Sequence, residues 1–257
     1  MLFNQIVYGP IHSRRLGTSL GINLMPTDNK LCTFDCIYCE CGFNTPVSHP
    51  KLPTRAEVRK TLESAFEDLQ TAGTLSTLNV ITFSGNGEPT LHPDFLGIIE
   101  DTCALRDQYC PNAKVSVLSN STQLGRIDVR QALMLCDNRI LKLDSAIDAT
   151  MQLIDQPVND QLTVAQIKEW LQSFDGDFTL QTCFLRGTYR QQQIDNTQPA
   201  ELDAWYKVVH ELRPKQIMIY VIDRATPIQT LEKISREQME SIAQPLRDEG
   251  FDVIVCA

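Results

Sequence analysis

At 257 residues the chain is long enough to bury a substantial core as one α/β barrel domain. Hydrophobic residues make up 42% and charged residues 21% with no long apolar run, so nothing reads as a membrane span or secretory signal, and a cytoplasmic protein is expected. The net charge of -9 repels polyphosphate chains and disfavours large nucleic-acid partners.

Residues 1–17 form an extended or turn-like lead holding the cationic pair Arg14 and Arg15, which is either a solvated edge or a fork for a substrate carboxylate or phosphate. Leu20 to Met25 alternates weakly and predicts a first strand, ended by Pro26 and followed by the cysteine-rich stretch 32–41. Thr54 with Glu57 makes a capping box for a helix that places Val58, Leu62, Ala65, Phe66 and Leu69 on one face and ends near Gly73. The β-branched and aromatic run Asn79 to Ser84 predicts a second strand, closed by Gly85, Asn86, Gly87, Glu88 and Pro89. Asp94 to Asp107 reads as a helix, Lys114 to Ser119 as a third strand, Asp128 to Leu135 as a short helix and Arg139 to Asp144 as a fourth strand. The helix over Thr163 to Phe174 repeats Ile167, Trp170, Leu171 and Phe174 at helical spacing, and Phe178 to Leu185 is a fifth strand. Pro199 occupies a first helical position ahead of the stripe Leu202, Trp205, Tyr206, Val209 and Leu212. Lys215 to Ile222 is a sixth strand, Ser235 to Gly250 a last helix kinked at Pro245, and Phe251 to Val255 a short closing strand. Trp170 and Trp205, each on an apolar stripe, are expected in the core.

Strands separated by helix-length segments require parallel pairing with crossovers. The prediction is a single domain over 1–257: an α/β, partial (βα)6 TIM-like barrel with parallel strands, made of the lead 1–17, six βα units over 18–222 and a C-terminal helix and strand over 223–257. Sites in such folds gather at the carboxyl ends of strands. There this chain places the cysteines after strand one, Gly85 to Glu88 after strand two, Ser119 and Asn120 after strand three and Asp144 and Ser145 after strand four. Strand five ends in Cys183 to Arg186 and strand six in Asp223 and Arg224.

Cys32, Cys36 and Cys39 have the spacing C-x3-C-x2-C, close enough for one loop to wrap three thiolates around one metal centre. Three ligands leave one position open for a substrate or cofactor, whereas recruiting Cys41 as a fourth would close a structural zinc site. The one-residue gap between Cys39 and Cys41 is awkward for such a zinc site. In a chain expected to be reduced, Cys103, Cys110, Cys136, Cys183 and Cys256 read as small core hydrophobes rather than a disulfide framework.

The spacing, with Tyr38 before the third cysteine, resembles the cluster loop of the radical S-adenosylmethionine (SAM) superfamily. The resemblance implies a 4Fe-4S cluster on Cys32, Cys36 and Cys39, with SAM chelating the remaining iron and breaking to a 5'-deoxyadenosyl radical that abstracts hydrogen from a substrate. It implies that Gly85, Asn86, Gly87 and Glu88 stand where the superfamily's Gly-Gly-Glu motif receives SAM's ammonium group, Asn86 being tolerated there because Asn accepts left-handed backbone. Ser119, Asn120, Asp144 and Ser145 would then lie near the ribose or carboxylate of SAM, and Ile222 and Asp223 near its adenine. Arg14, Arg15, Arg186 and Arg224 become candidates for the substrate. A flavodoxin or ferredoxin would supply the electron, and a small molecule is the favoured substrate, with no membrane involved.

The blocks 9–17, 32–42 and 82–93 further resemble a group of bacterial radical SAM proteins related to the wyosine-base enzymes of transfer RNA and to molybdenum-cofactor enzymes. No cysteine precedes Cys32 to ligate the second cluster of the wyosine enzymes, which argues with the acidic charge against that reaction. A glycyl-radical activase shares the cysteine spacing and stands as another alternative.

Overall fold

The computed structural model describes residues 2–13, 16–46 and 48–257, so the Arg14 and Arg15 pair lies outside the described residues. The chain packs into two compact units, one made of residues 1–32, 44–119 and 123–139 and the other of 33–43, 120–122 and 140–257.

The first unit holds β1 (Val7–Ser13), β2 (Gly17–Ile22), α1 (Arg55–Thr71), β3 (Val80–Phe83), α2 (Phe95–Tyr109), β4 (Lys114–Ser119) and α3 (Ile127–Leu135). β2, β3 and β4 are parallel, with Ser19 opposite Val80 and Val80 opposite Lys114. All four residues of β3 are buried, which suits a strand covered on both faces. α1 has the predicted capping box and buries Val58, Leu62 and Phe66. The lead is a strand rather than a turn-like approach, because β1 pairs antiparallel with β2. Gly9 and Pro10 fall where the register shifts between Tyr8 and Ile11, the kind of irregularity in which a strand tolerates a residue lacking an N–H. The first parallel strand accordingly begins at Gly17 and ends at Ile22, ahead of the predicted span.

The second unit contains β5 (Asn138–Lys142), α4 (Asp148–Asp155), α5 (Val164–Gln172), β6 (Thr179–Tyr189), β7 (Gln192–Asp195), α6 (Pro199–Leu212), β8 (Gln216–Val221), β9 (Leu231–Lys233), α7 (Arg236–Asp248) and β10 (Val253–Cys256). β5, β6, β8 and β10 lie parallel in that order. Strand five continues past its expected end at Leu185 to Tyr189, and this extension pairs antiparallel with both β7 and β9. α4 fills a stretch to which the pattern assigns no element, and Ile147 precedes it without a side-chain cap. Trp205 is buried, its indole N–H donating to Thr182 Oγ1 at 3.0 Å, whereas Trp170 is only partly buried. α7 runs through Pro245, and among the described residues no helix is long and apolar enough to cross a membrane.

Candidate functional site

The cysteine stretch is fixed by its backbone at both ends. In the first unit Leu31 forms a parallel bridge with Gly87: Leu31 N–H donates to Asn86 O at 2.9 Å and Glu88 N–H to Leu31 O at 3.1 Å. The next residue, Cys32, is clasped by the Asn44 side chain, which accepts from its N–H and donates to its carbonyl, both at 3.0 Å. In the second unit the stretch uses carbonyls at the end of α4, where Asp35 N–H donates to Asp155 O and Ile37 N–H to Ile154 O, each at 2.9 Å. Those carbonyls have no partner within the helix, so the loop satisfies them. Phe34 and Ile37 are buried and anchor this segment. Cys39 N–H returns to Cys36 O and Gly42 N–H to Cys39 O, giving two successive turns. Cys36 is buried, Cys32, Cys39 and Cys41 are partly buried, and none forms a disulfide. Among the described residues no group of three or more His, Cys, Asp or Glu side chains is gathered around one point, so these side-chain positions favour neither a zinc site of Cys32, Cys36, Cys39 and Cys41 nor a three-thiolate centre of Cys32, Cys36 and Cys39.

The Gly85–Glu88 turn owes its residues to close packing. Gly85 and Gly87 have φ of +139° and +145°, and a Cβ on Gly87 would stand 1.8 Å from the Leu31 carbonyl oxygen. Only glycine accepts both the conformation and the contact. Asn86 is there for its side chain rather than for left-handed backbone, which it does not adopt. It is fully buried, accepts from Phe3 N–H and donates to the carbonyls of Phe3 and Pro26, each at 2.8 Å. The buried carboxylate of Glu88 accepts from Ser119 Oγ at 2.9 Å and from the Thr90 N–H at 3.1 Å. The ends of β3 and β4 are thereby joined, as the strand-end rule predicts.

The second unit assembles a buried polar cluster against Cys36. The Lys142 ammonium bonds the Asp155 carboxylate and lies 3.1 Å from Asp144 Oδ2 and 3.4 Å from Cys36 Sγ. The side chains of Lys142, Asp144 and Asp155 are only 9%, 0% and 2% exposed. Burial opposes charge on Lys142, but the two carboxylates override it and hold the ammonium well above the ordinary lysine range. Tyr38 donates its hydroxyl to Asp144; burial, reinforced by that carboxylate, raises the phenol well above its usual range, so it keeps its proton. Asp144 also accepts the Cys183 N–H at 2.9 Å, and burial pushes the Cys183 thiol up, which leaves it unreactive. Asn120 Nδ2 reaches Thr33 Oγ1 at 2.8 Å, next to Cys32 in sequence.

The remaining predicted residues are spread more widely. Ser145 donates to Glu201 at 2.7 Å and so ties to the first turn of α6. Ile222 packs on the apolar cluster of Ile37, Ile154, Cys183, Leu185 and Ile194. Asp223 stands 3.8 Å from Lys233, while Arg224 bonds Glu40, inside the cysteine stretch, at 2.7 Å. Arg186 lies within β6 rather than beyond its end, donating to Gln238 at 2.6 Å and pairing with Asp195. Lys142 and Asp155 were missed from the sequence. The available signal was a lysine following the apolar pair Ile140 and Leu141, two residues before a strand-end aspartate.

No protein-family model matches the chain. A protein named GTPase Obg from Brachyspira hyodysenteriae is 29% identical over 91% of this chain, and a UPF0026 protein from Helicobacter pylori strain J99 is 30% identical over 71% of it. The chain spans 32% and 57% of the length of those two relatives. Among solved structures, a radical SAM methyltransferase from Sphaerobacter thermophilus superposes with a TM-score of 0.65 at 16% identity, over 92% of this chain and 65% of that one. The chain has the fold of that protein. TYW1 with a lysine-pyruvate adduct bound superposes at TM-score 0.66 and 12% identity over 92% of this chain and 76% of its own. SuiB of Streptococcus suis bound to S-adenosylmethionine superposes at 0.62 and 13% over 89% and 49%. The TIM-like partial barrel predicted from the sequence is thus the architecture these proteins share with the chain; at such identities the likeness is one of fold alone.

Proposed function

We propose that this chain is a radical SAM enzyme that binds one 4Fe-4S cluster through Cys32, Cys36 and Cys39 and acts on a small-molecule substrate. The donor set suits the group, since three soft thiols within eight residues leave one iron position open. When bound and reduced, the cluster supplies the electron that splits SAM to a 5'-deoxyadenosyl radical able to take hydrogen from a substrate.

The observation that carries the reading is the Leu31 and Gly87 bridge, which ties the residue before Cys32 to the turn closing β3. The backbone of that turn and the Glu88 carboxylate, held in place by Ser119 and Thr90, supply acceptors for an ammonium group. Asn120, Asp144 and Ser145 are candidates for the polar part of SAM and Ile222 with Asp223 for its adenine; Arg186 and Arg224 remain candidates for substrate anions. Tyr38 holds the loop by donating to Asp144. A flavodoxin or ferredoxin is the expected reductant, and the net charge of -9 weighs against transfer RNA as substrate.

The test is anaerobic reconstitution followed by SAM and dithionite, with 5'-deoxyadenosine read by chromatography. Wild type is expected to form it and Cys36→Ala not to. Equal formation by both proteins, or wild type that binds neither iron nor SAM, refutes the proposal.

A further inference from the structure

A buried lysine at the carboxyl end of a parallel strand is expensive to keep, and the buried Ile140, Leu141 and Leu143 beside it show what the position would otherwise hold. An ammonium has three N–H donors. Here three acceptors surround it: Asp155, Asp144 at 3.1 Å and Cys36 Sγ at 3.4 Å. The rings of Phe34 and Tyr38, both from the cysteine stretch, face the same nitrogen at 4.7 and 5.5 Å. Asp155 ends α4, where a carboxylate meets the negative end of the helix and gains most from a cation. The carbonyls of that same helix end hold the loop backbone at Asp35 and Ile37. Lys142 therefore grips the loop from two sides, through the helix that carries it and through one of its thiols.

We propose that Lys142 is a positioning residue for Cys36, orienting its sulfur by a direct N–H···S bond and raising the reduction potential of a cluster bound there. The inference rests on the function proposed above. Its physical basis is that a donor to a ligating sulfur withdraws electron density and stabilises the reduced cluster, an effect set by the second shell. Asp144 and Asp155 fix the ammonium beside the Cys36 sulfur, which would keep a charged donor when it ligates a cluster.

The experiment uses the reconstituted holoprotein. Wild type labelled with 15N-lysine is expected to show one lysine nitrogen coupled to the reduced cluster in pulsed electron–nuclear spectra, and Lys142→Met to lose that coupling. Potentiometric titration followed by the same paramagnetic signal is expected to give a lower midpoint in Lys142→Met, with partial recovery in Lys142→Arg. The double variant Lys142→Met with Asp155→Asn removes one charge of each sign, so the buried group keeps its net charge and Asp144 keeps its bonds from Tyr38 and the Cys183 N–H, and it too should stay low. The absence of lysine coupling in wild type, or a midpoint that returns to the wild-type value in the double variant, overturns the inference. Wild type that holds a cluster and cleaves SAM while showing no lysine coupling defeats only the role of Lys142. Wild type that takes up no iron defeats both proposals together.

Discussion

Replacing Gly87 by alanine tests whether the bridge to Leu31 holds the cysteine loop. The new methyl would lie 1.8 Å from the Leu31 carbonyl oxygen and 2.5 Å from its carbon, against about 3.5 Å for an ordinary contact. Backbone must therefore shift by roughly 1.5 Å. No side-chain rotation relieves it, since both atoms are main chain. The residue would also sit at φ of +145°, a conformation costing a non-glycine residue about 1–3 kcal/mol. Separating the two segments loses the hydrogen bonds of 2.9 and 3.1 Å on either side, worth about 1 kcal/mol each. The sum is about 3–5 kcal/mol, or roughly 10 °C in thermal midpoint for a chain of this size. Gly73→Ala is the control, because Gly73 has φ of +70° but nothing within 4 Å of an added Cβ, so it should cost only about 1–2 kcal/mol. Urea and thermal denaturation of the three proteins decide the matter. A Gly87→Ala protein no less stable than Gly73→Ala would refute the reasoning, because the clash would then have been relieved without breaking the bridge.

Asn86→Ala deletes three side-chain hydrogen bonds to Phe3 and Pro26, and is expected to cost about 2–4 kcal/mol and to speed hydrogen exchange at the Phe3 amide; unchanged exchange there would refute the anchoring role. The bidentate bond from Arg55 holds Asp101 below the usual carboxylate range, so this pair stabilises above about pH 4, where the unfolded group is ionised, and fades as pH falls through the lower folded value. Asp101→Asn should therefore be less stable than wild type at pH 7 and approach it near pH 2, and a gap that stays constant in urea midpoints across that range would exclude the ion pair as its source. Gln156 caps α4 in the left-handed region at φ of 43°, with a buried amide nitrogen lacking a partner, so Gln156→Gly should raise stability by up to about 1 kcal/mol in the same denaturation assay.

The elements that a pattern reading recovered are those where local chemistry and burial agree. α1 has its capping box and apolar stripe, and β3 is a run of buried β-branched and aromatic residues, so each announced itself. The elements missed lack such signals. The β6 and β7 hairpin turns through Arg190 and Gln191, both at positive φ, without the Asn or Gly that normally marks such a turn. α4 has no side-chain cap, and β1 carries Gly9 and Pro10, which ordinarily speak against a strand.

The site divides the same way. Which residues stand at strand ends follows from order along the chain, and Ser119 meeting Glu88 needed nothing more. What the chain order does not carry is the reason for a residue. Gly87 is read from the motif as part of a turn that receives a ligand and Asn86 as a tolerated substitute for glycine, yet each is accounted for by protein contacts: the first by the Leu31 carbonyl, the second by Phe3 and Pro26. The same reading passed over Lys142, because its partner Asp155 lies thirteen residues on, in a helix the pattern did not reveal. A motif of this kind is thus partly a folding device: the glycines that would admit a cofactor are first required to dock the loop that would bind it. Substitutions there should lose stability and cofactor together, whereas Lys142, which touches the loop through one thiol and one helix end, is where positioning and electronic effects can be separated.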